Sequence, residues 1–166
     1  MQLSIIVPTY NENKNIIPLV KSLQDSVRVN NYEIIFIDDN SPDHTYETIK
    51  SISEKNNRIR CIRRIGRRGL SSAVIEGCLS SSADFLLIMD ADLQHDEKKI
   101  NKMFDKVKNI DLDLVIASRF LKKKISPGLS KRRNYISNLA NFLANKITGV
   151  NLSDPMTGYF IIKRHT

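Results

Sequence analysis

An apolar run, Phe85 to Met89, ends in Asp90, Asp92 and Gln94, and His95, Asp96 and Glu97 follow at once. Two other apolar runs end in the same manner. Leu3–Pro8 leads into Thr9, Tyr10, Asn11 and Glu12, and Tyr32–Ile37 leads into Asp38 and Asp39. Like charges gathered this way call for a cation or a hydrogen-bonding ligand. Asp and Gln offer hard oxygen donors, and no Cys stands beside them, which favours Mg2+ or Mn2+ over zinc. Mg2+ takes one or two carboxylates and completes its shell with water and substrate phosphates. The chemistry indicated is therefore the binding of a phosphate-bearing ligand through a divalent cation. Taken singly, each feature has a plainer reading. Asp38–Asp39 could be a turn with a helix cap, a lone DxD is common, and His95 has no second His at helical spacing. The joint placement at three strand ends carries the argument.

The elements that must hold these residues follow from periodicity. Short apolar, β-branched runs predict strands at Leu3–Pro8, Tyr32–Ile37, "RIRCI", "DFLLIM", "LDLVIAS" and "GYFIIK". Apolar residues at helical spacing predict helices over Asn11–Asn30, with Asn11 or Asn13 as cap, and over Thr45–Lys55, "GLSSAVIEGCLSSS", Glu97–Lys108 and Arg132–Ile147. In the first of these, Ile16, Ile17, Val20, Leu23 and Val27 form the expected buried face. Strands alternating with helices predict an α/β fold: a mostly parallel sheet with helices on both faces. Ligands of such sheets bind beyond the carboxyl ends of the strands, where the acids lie.

Length and composition set the frame. At 166 residues the chain reads as one domain. The formal net charge of +8 points to an anionic partner. Basic residues concentrate in Arg119, Lys122, Lys123, Lys124, Lys131, Arg132 and Arg133, with no acid among them. A nucleic-acid platform would pair such charge with stacking aromatics, but aromatics are 7%, Trp is absent and the strand ends are acidic. No nucleic-acid partner is expected. Cys61 and Cys78 form no CxxC motif and read as small core residues. No run approaches the ~20 apolar residues of a membrane helix, and the start lacks the pattern of a signal peptide.

"SIIVPTYNE", "EIIFIDDNSPDHT", "GLSSAVIEGC", "MDADLQHD", "LVIASRF" and "DPMTGYFIIKR" occur in the order seen in family 2 glycosyltransferases of the GT-A (Rossmann-like) fold. The chain resembles the dolichol- or polyprenol-phosphate mannosyltransferase branch from Leu3 to Arg164. "DADLQHD" and "DPMTGYF" are the more specific marks. It departs from the pattern at Ser71, where many relatives have a second glycine, and the QxxRW motif of processive synthases is absent. Similar proteins continue past "GYFIIKR", so residues 1–166 read as a single transferase domain lacking their C-terminal part.

The resemblance implies inverting transfer of a hexose from a nucleotide sugar, GDP-mannose foremost, to a polyprenyl phosphate. The alternative is a UDP-sugar with a saccharide or other small acceptor. It implies a donor set of Pro8, Tyr10, Glu12, Ile37, Asp39, Asp90, Ala91, Asp92 and Gln94, with Asp92 and Gln94 as ligands of Mg2+ or Mn2+. Arg119, Arg133 and Ser137 would bind the acceptor phosphate, and Asp92, Arg119 and Arg133 would form the catalytic group. Arg133 and Ser137 are four apart and share a helix face. The expected setting is cytoplasmic, peripheral at the inner face of the membrane, where the lysine run meets anionic headgroups.

Overall fold

The computed structural model describes residues 1–118 and 158–164. The expected helix Arg132–Ile147 and the basic residues from Arg119 to Arg133 lie outside them.

Six strands form one sheet in the order β3-β2-β1-β4-β6-β5. These are β1 (Leu3–Thr9), β2 (Tyr32–Asp38), β3 (Ile59–Arg63), β4 (Phe85–Ile88), β5 (Leu114–Ile116) and β6 (Phe160–Lys163). The first four run parallel, and β6 lies antiparallel between β4 and β5. The four described helices are α1 (Asn13–Ser26), α2 (Thr45–Ser53), α3 (Leu70–Ser80) and α4 (Lys99–Asn109).

The central strands are apolar almost throughout because both faces are covered. Successive side chains alternate between the faces. Ile5, Val7, Ile34, Phe36, Leu87 and Met89 join Ile16, Leu19, Leu23, Ile49, Met103 and Phe104 in the larger core, on the side of α1, α2 and α4. Ile6, Ile35, Ile37, Leu86 and Ile88 pack with Ala73 of α3 on the other side. Gly77 brings α3 close: a Cβ there would collide with Ile6 and crowd Ile37. Cys61 and Cys78 are half-buried and pack against these cores.

The first helix departs from expectation at both ends. Asn11 has φ 61, a left-handed conformation that cannot continue a helix. Neither Asn11 nor Asn13 caps it; the N-cap is Glu12, and it makes no side-chain cap. The free amides are met from the loop after β2 instead. Asn11 N–H donates to Ser41 Oγ (3.0 Å), Glu12 N–H to Thr45 Oγ1 (3.0 Å) and Asn13 N–H to Asp43 Oδ2 (3.1 Å). Burial opposes the charge on Asp43, yet hydrogen bonds from Thr45 and Asn13 hold its carboxyl below the ordinary 3.8. Ile17 is 62% exposed, so it does not belong to the buried face. These crossed caps tie the turns after β1 and β2 into one rim.

Candidate functional site

The rim of the sheet encloses a cavity of about 290 Å³, lined by Pro8, Thr9, Tyr10, Glu12, Asp39, Leu70, Ala73, Asp90, Ala91 and Asp92. That is near the lower end of small-molecule sites, roughly 300 Å³. Strands β1, β2 and β4 are neighbours, so the turns after them converge. The cavity therefore gathers residues from three separate sequence motifs, with the start of α3 as a fourth wall.

Two adjacent acids after β2 have different environments. Asp38 is wholly buried and closes its own turn, accepting from Ser41 N–H (2.9 Å), Ser41 Oγ (2.6 Å) and Thr9 Oγ1 (3.2 Å). Asp39 reaches the cavity. Its Oδ2 accepts from Gly69 N–H at 2.8 Å, and its Oδ1 lies 2.7 Å from Arg64 Nε. That second contact is an ion pair outside hydrogen-bond geometry. The Arg64 side chain is 0% exposed. It also donates to Ser72 Oγ at 3.0 Å and reaches the Gly69 carbonyl. Gly69 has φ 132, a conformation open to glycine and strained for other residues. Ser71, where relatives have a second glycine, is helical and has no positive φ, so its backbone needs none.

Arg64 escaped the sequence reading. It stands among Arg63, Arg67 and Arg68, a run that looks solvated. Its neighbours do lie outside: Arg67 pairs with Glu76 at 2.6 Å, and Arg68 stacks over the exposed ring of Tyr10 at 4.6 Å. Only the register of β3 against β2, pairing Arg63 with Asp38, turns Arg64 inward.

On the other side of the cavity, Asp90 is part-exposed and its Oδ2 lies 3.3 Å from His95 Nε2. The His95 ring stacks on Tyr159, with centroids 4.7 Å apart and planes at 29°. Tyr159 is buried and donates its hydroxyl to the Asp96 carbonyl at 3.0 Å. Burial, reinforced by Asp96 and Glu97, pushes its phenol well above the ordinary 10.0. Gly158 abuts Asp90, and a Cβ there would stand 2.6 Å from Asp90 Oδ2.

The remaining expected residues fall unevenly. Ala91 is buried and lines the cavity, and Asp92 is exposed there. Asp92 Oδ1 accepts from the backbone of Gln94 at 3.1 Å. Gln94 is exposed and is not part of the lining. Glu12 accepts from Asn15 Nδ2 at 2.6 Å. Ile37 is wholly buried toward α3 and does not line the cavity. Strand alternation explains this: Ile37 faces the smaller core, one residue before the chain turns. Arg119, Arg133 and Ser137 lie outside the described residues.

The donor set suits a hard divalent cation that shares its shell with a ligand. Asp92 brings a carboxylate to the cavity, the Gln94 backbone is bonded to it, and no group of three His, Cys, Asp or Glu among the described residues is arranged to hold a metal alone. Among those residues, no helix is long and apolar enough to cross a membrane.

Residues 4–165 match the model of glycosyl transferase family 2, and the chain belongs to that family. It is 37% identical over 168 residues to a dolichol-phosphate mannosyltransferase of Pyrococcus furiosus, covering 99% of this chain and 47% of that protein. Enzymes of the same name from Mycosarcoma maydis and Saccharomyces cerevisiae are 35% and 33% identical, covering 98% and 99% of this chain and 57% and 61% of theirs. The chain thus spans about half the length of the curated relatives it matches. Among solved structures, a Pyrobaculum calidifontis mannosyltransferase in complex with GDP-Man and Mn2+ superposes with a TM-score of 0.67 at 18% identity, over 99% of this chain and 45% of that one. Glucosyl-3-phosphoglycerate synthase from Mycobacterium tuberculosis, with Mn2+, UDP-Glc and phosphoglyceric acid, gives 0.72 at 18%, over 99% and 57%. The fold is that of GT-A glycosyltransferases, as the sequence predicted.

Proposed function

We propose that this chain is the transferase domain of an enzyme that moves mannose, with inversion, from GDP-mannose to a polyprenyl phosphate. One observation carries the reading. The cavity brings Pro8, Tyr10, Glu12, Asp39, Asp90, Ala91 and Asp92 together, in a family 2 chain whose curated relatives are dolichol-phosphate mannosyltransferases.

Pro8, Tyr10 and Glu12 hold the nucleobase and ribose from the β1 side, and Asp39 faces the base from β2. Asp90 and the Ala91 backbone meet the ribose or sugar. Asp92, with Gln94, holds Mg2+ or Mn2+. A bound divalent cation supplies Lewis-acid stabilisation of the charge that develops on the leaving diphosphate. Arg119 and Arg133 add fixed positive charge where the phosphates meet, and Arg133 with Ser137 grips the acceptor phosphate. A phosphate acceptor is already anionic near neutral pH, so it needs less help from a general base than a sugar hydroxyl would. Lys122, Lys123 and Lys124 rest on anionic headgroups at the inner face of the membrane, each contributing ~1 kcal/mol.

The test is calorimetry with Mn2+ against GDP, UDP and single-stranded DNA. GDP is expected to bind only with the cation present, and DNA not to compete. Binding of UDP alone would move the reading to a UDP-sugar donor. Binding of DNA alone would overturn it.

A further inference from the structure

Asp90 is wedged between two groups that the donor reading leaves without a task. On one side, His95 Nε2 stands 3.3 Å from Asp90 Oδ2. On the other, the bare Cα of Gly158 leaves room that a Cβ would fill, at 2.6 Å from Oδ2 and 3.0 Å from Oδ1. His95 is itself braced. Its ring lies against Tyr159, and the Tyr159 hydroxyl is tied back to the Asp96 carbonyl. The result is a continuous support from the start of β6 to the cavity: Tyr159 to His95 to Asp90.

We propose that His95 is the positioning residue for the Asp90 carboxylate, and that Gly158 is required to admit that carboxylate in its working orientation. This rests on the donor-site reading above. Asp90 sits part-exposed at a strand end, where without these two neighbours its carboxylate would swing about χ2. An Nε2–H donated to Oδ2 fixes the rotation of a carboxylate that lines the cavity. A ligand then meets an oriented acceptor and need not order one. Groups that orient a metal-ligating side chain change affinity by roughly ten- to a hundredfold, and the same range is expected for a group that orients a hydrogen-bonding carboxylate. The same arrangement gives a physical reason for two motifs far apart in sequence to coexist. "DADLQH" supplies the carboxylate and the imidazole, and "GYF" supplies the gap and the ring behind them.

Two substitutions separate the polar contact from the packing. His95→Phe keeps a ring against Tyr159 and removes the donor. His95→Gln removes the ring and keeps a nitrogen at a similar reach. Calorimetry with Mn2+ and GDP, and with Mn2+ alone, is run beside thermal melts on the whole chain. His95→Phe is expected to weaken Mn2+–GDP binding about tenfold or more while melting close to the parent, and His95→Gln to restore affinity to within about threefold. Gly158→Ala leaves the ring pair intact and approaches Asp90 from the other side; it too is expected to weaken binding about tenfold. Equal affinity of His95→Phe and the parent overturns the inference, as does His95→Gln binding as weakly as His95→Phe. If His95→Phe fails to fold, an unchanged affinity in folded Gly158→Ala overturns it. A parent that binds no Mn2+–nucleotide pair rejects the donor-site reading itself, and this inference falls with it.

Discussion

Arg64 Nε lies 2.7 Å from Asp39 Oδ1, and the whole arginine side chain is shielded from solvent. A charge so placed is tolerable only with its partner. Arg64 also grips Ser72 and the Gly69 carbonyl, so one guanidinium joins the ends of β2 and β3 to the start of α3. It thereby sets the distance between Asp39 on one wall of the cavity and Leu70 and Ala73 on the other.

Arg64→Met leaves Asp39 without its counter-ion, and Asp39→Asn leaves Arg64 with only the longer 4.0 Å contact to Glu76. Each is expected to destabilise the fold by about 3–5 kcal/mol, the range for breaking a buried pair. The double variant should cost clearly less than the sum. Urea denaturation checks this. Additive losses would show that the two charges do not depend on one another.

Asp92 makes the opposite prediction. It is exposed, and its side chain accepts a hydrogen bond from the Gln94 backbone. Asp92→Ala should change stability by less than about 0.5 kcal/mol, as surface substitutions do, while abolishing Mn2+-dependent nucleotide binding. Unchanged affinity in calorimetry would remove Asp92 from the cation shell.

Burial, with the Asp38 carboxylate adding, pushes the Cys61 thiol from 9.0 up to about 12, and burial also raises Cys78. A thiol with a raised folded value keeps its proton while the unfolded chain loses it. Stability from this source is full below pH 9.0 and falls as the pH climbs toward 12. Thiol-reactive dyes at pH 8 should label the native protein slowly and the urea-unfolded protein fast. Rapid labelling of both cysteines in folded protein would contradict the described burial.

Much of this arrangement is legible in the sequence, for a physical reason. A strand buried on both faces must be apolar at nearly every position, so the runs through Ile5–Val7 and Ile34–Ile37 announce themselves, and the acids that end them mark the rim. What the sequence conceals depends on distant partners. The start of α1 is fixed by Ser41, Asp43 and Thr45, about thirty positions away, and no local cap reveals it. Arg64 is one of several neighbouring arginines until β3 pairs with β2. His95 looks like a stray polar residue until Tyr159, sixty-four positions on, comes to lie beneath it. Ile37, which motif matching put in the donor set, turns its side chain into the smaller core by strand alternation.

Arg133→Lys tests the acceptor side. A lysine keeps the charge and loses the two-pronged grip of a guanidinium on phosphate. Turnover of a water-soluble, short-chain polyprenyl phosphate in detergent should fall about tenfold or more, equivalent to ~1.4 kcal/mol or more, with nucleotide affinity nearly unchanged. Equal rates for parent and variant would take Arg133 out of the site.

The central claim is the transfer itself. The most direct measurement supplies GDP-mannose labelled in the sugar, with Mn2+ or Mg2+ and a polyprenyl phosphate, and follows label into the organic phase. A metal-dependent mannosyl lipid is expected, inverted at the anomeric carbon and lost in Asp92→Ala. Label that stays in the aqueous phase with polyprenyl phosphate, yet passes from a UDP-sugar to a saccharide acceptor, would contradict it.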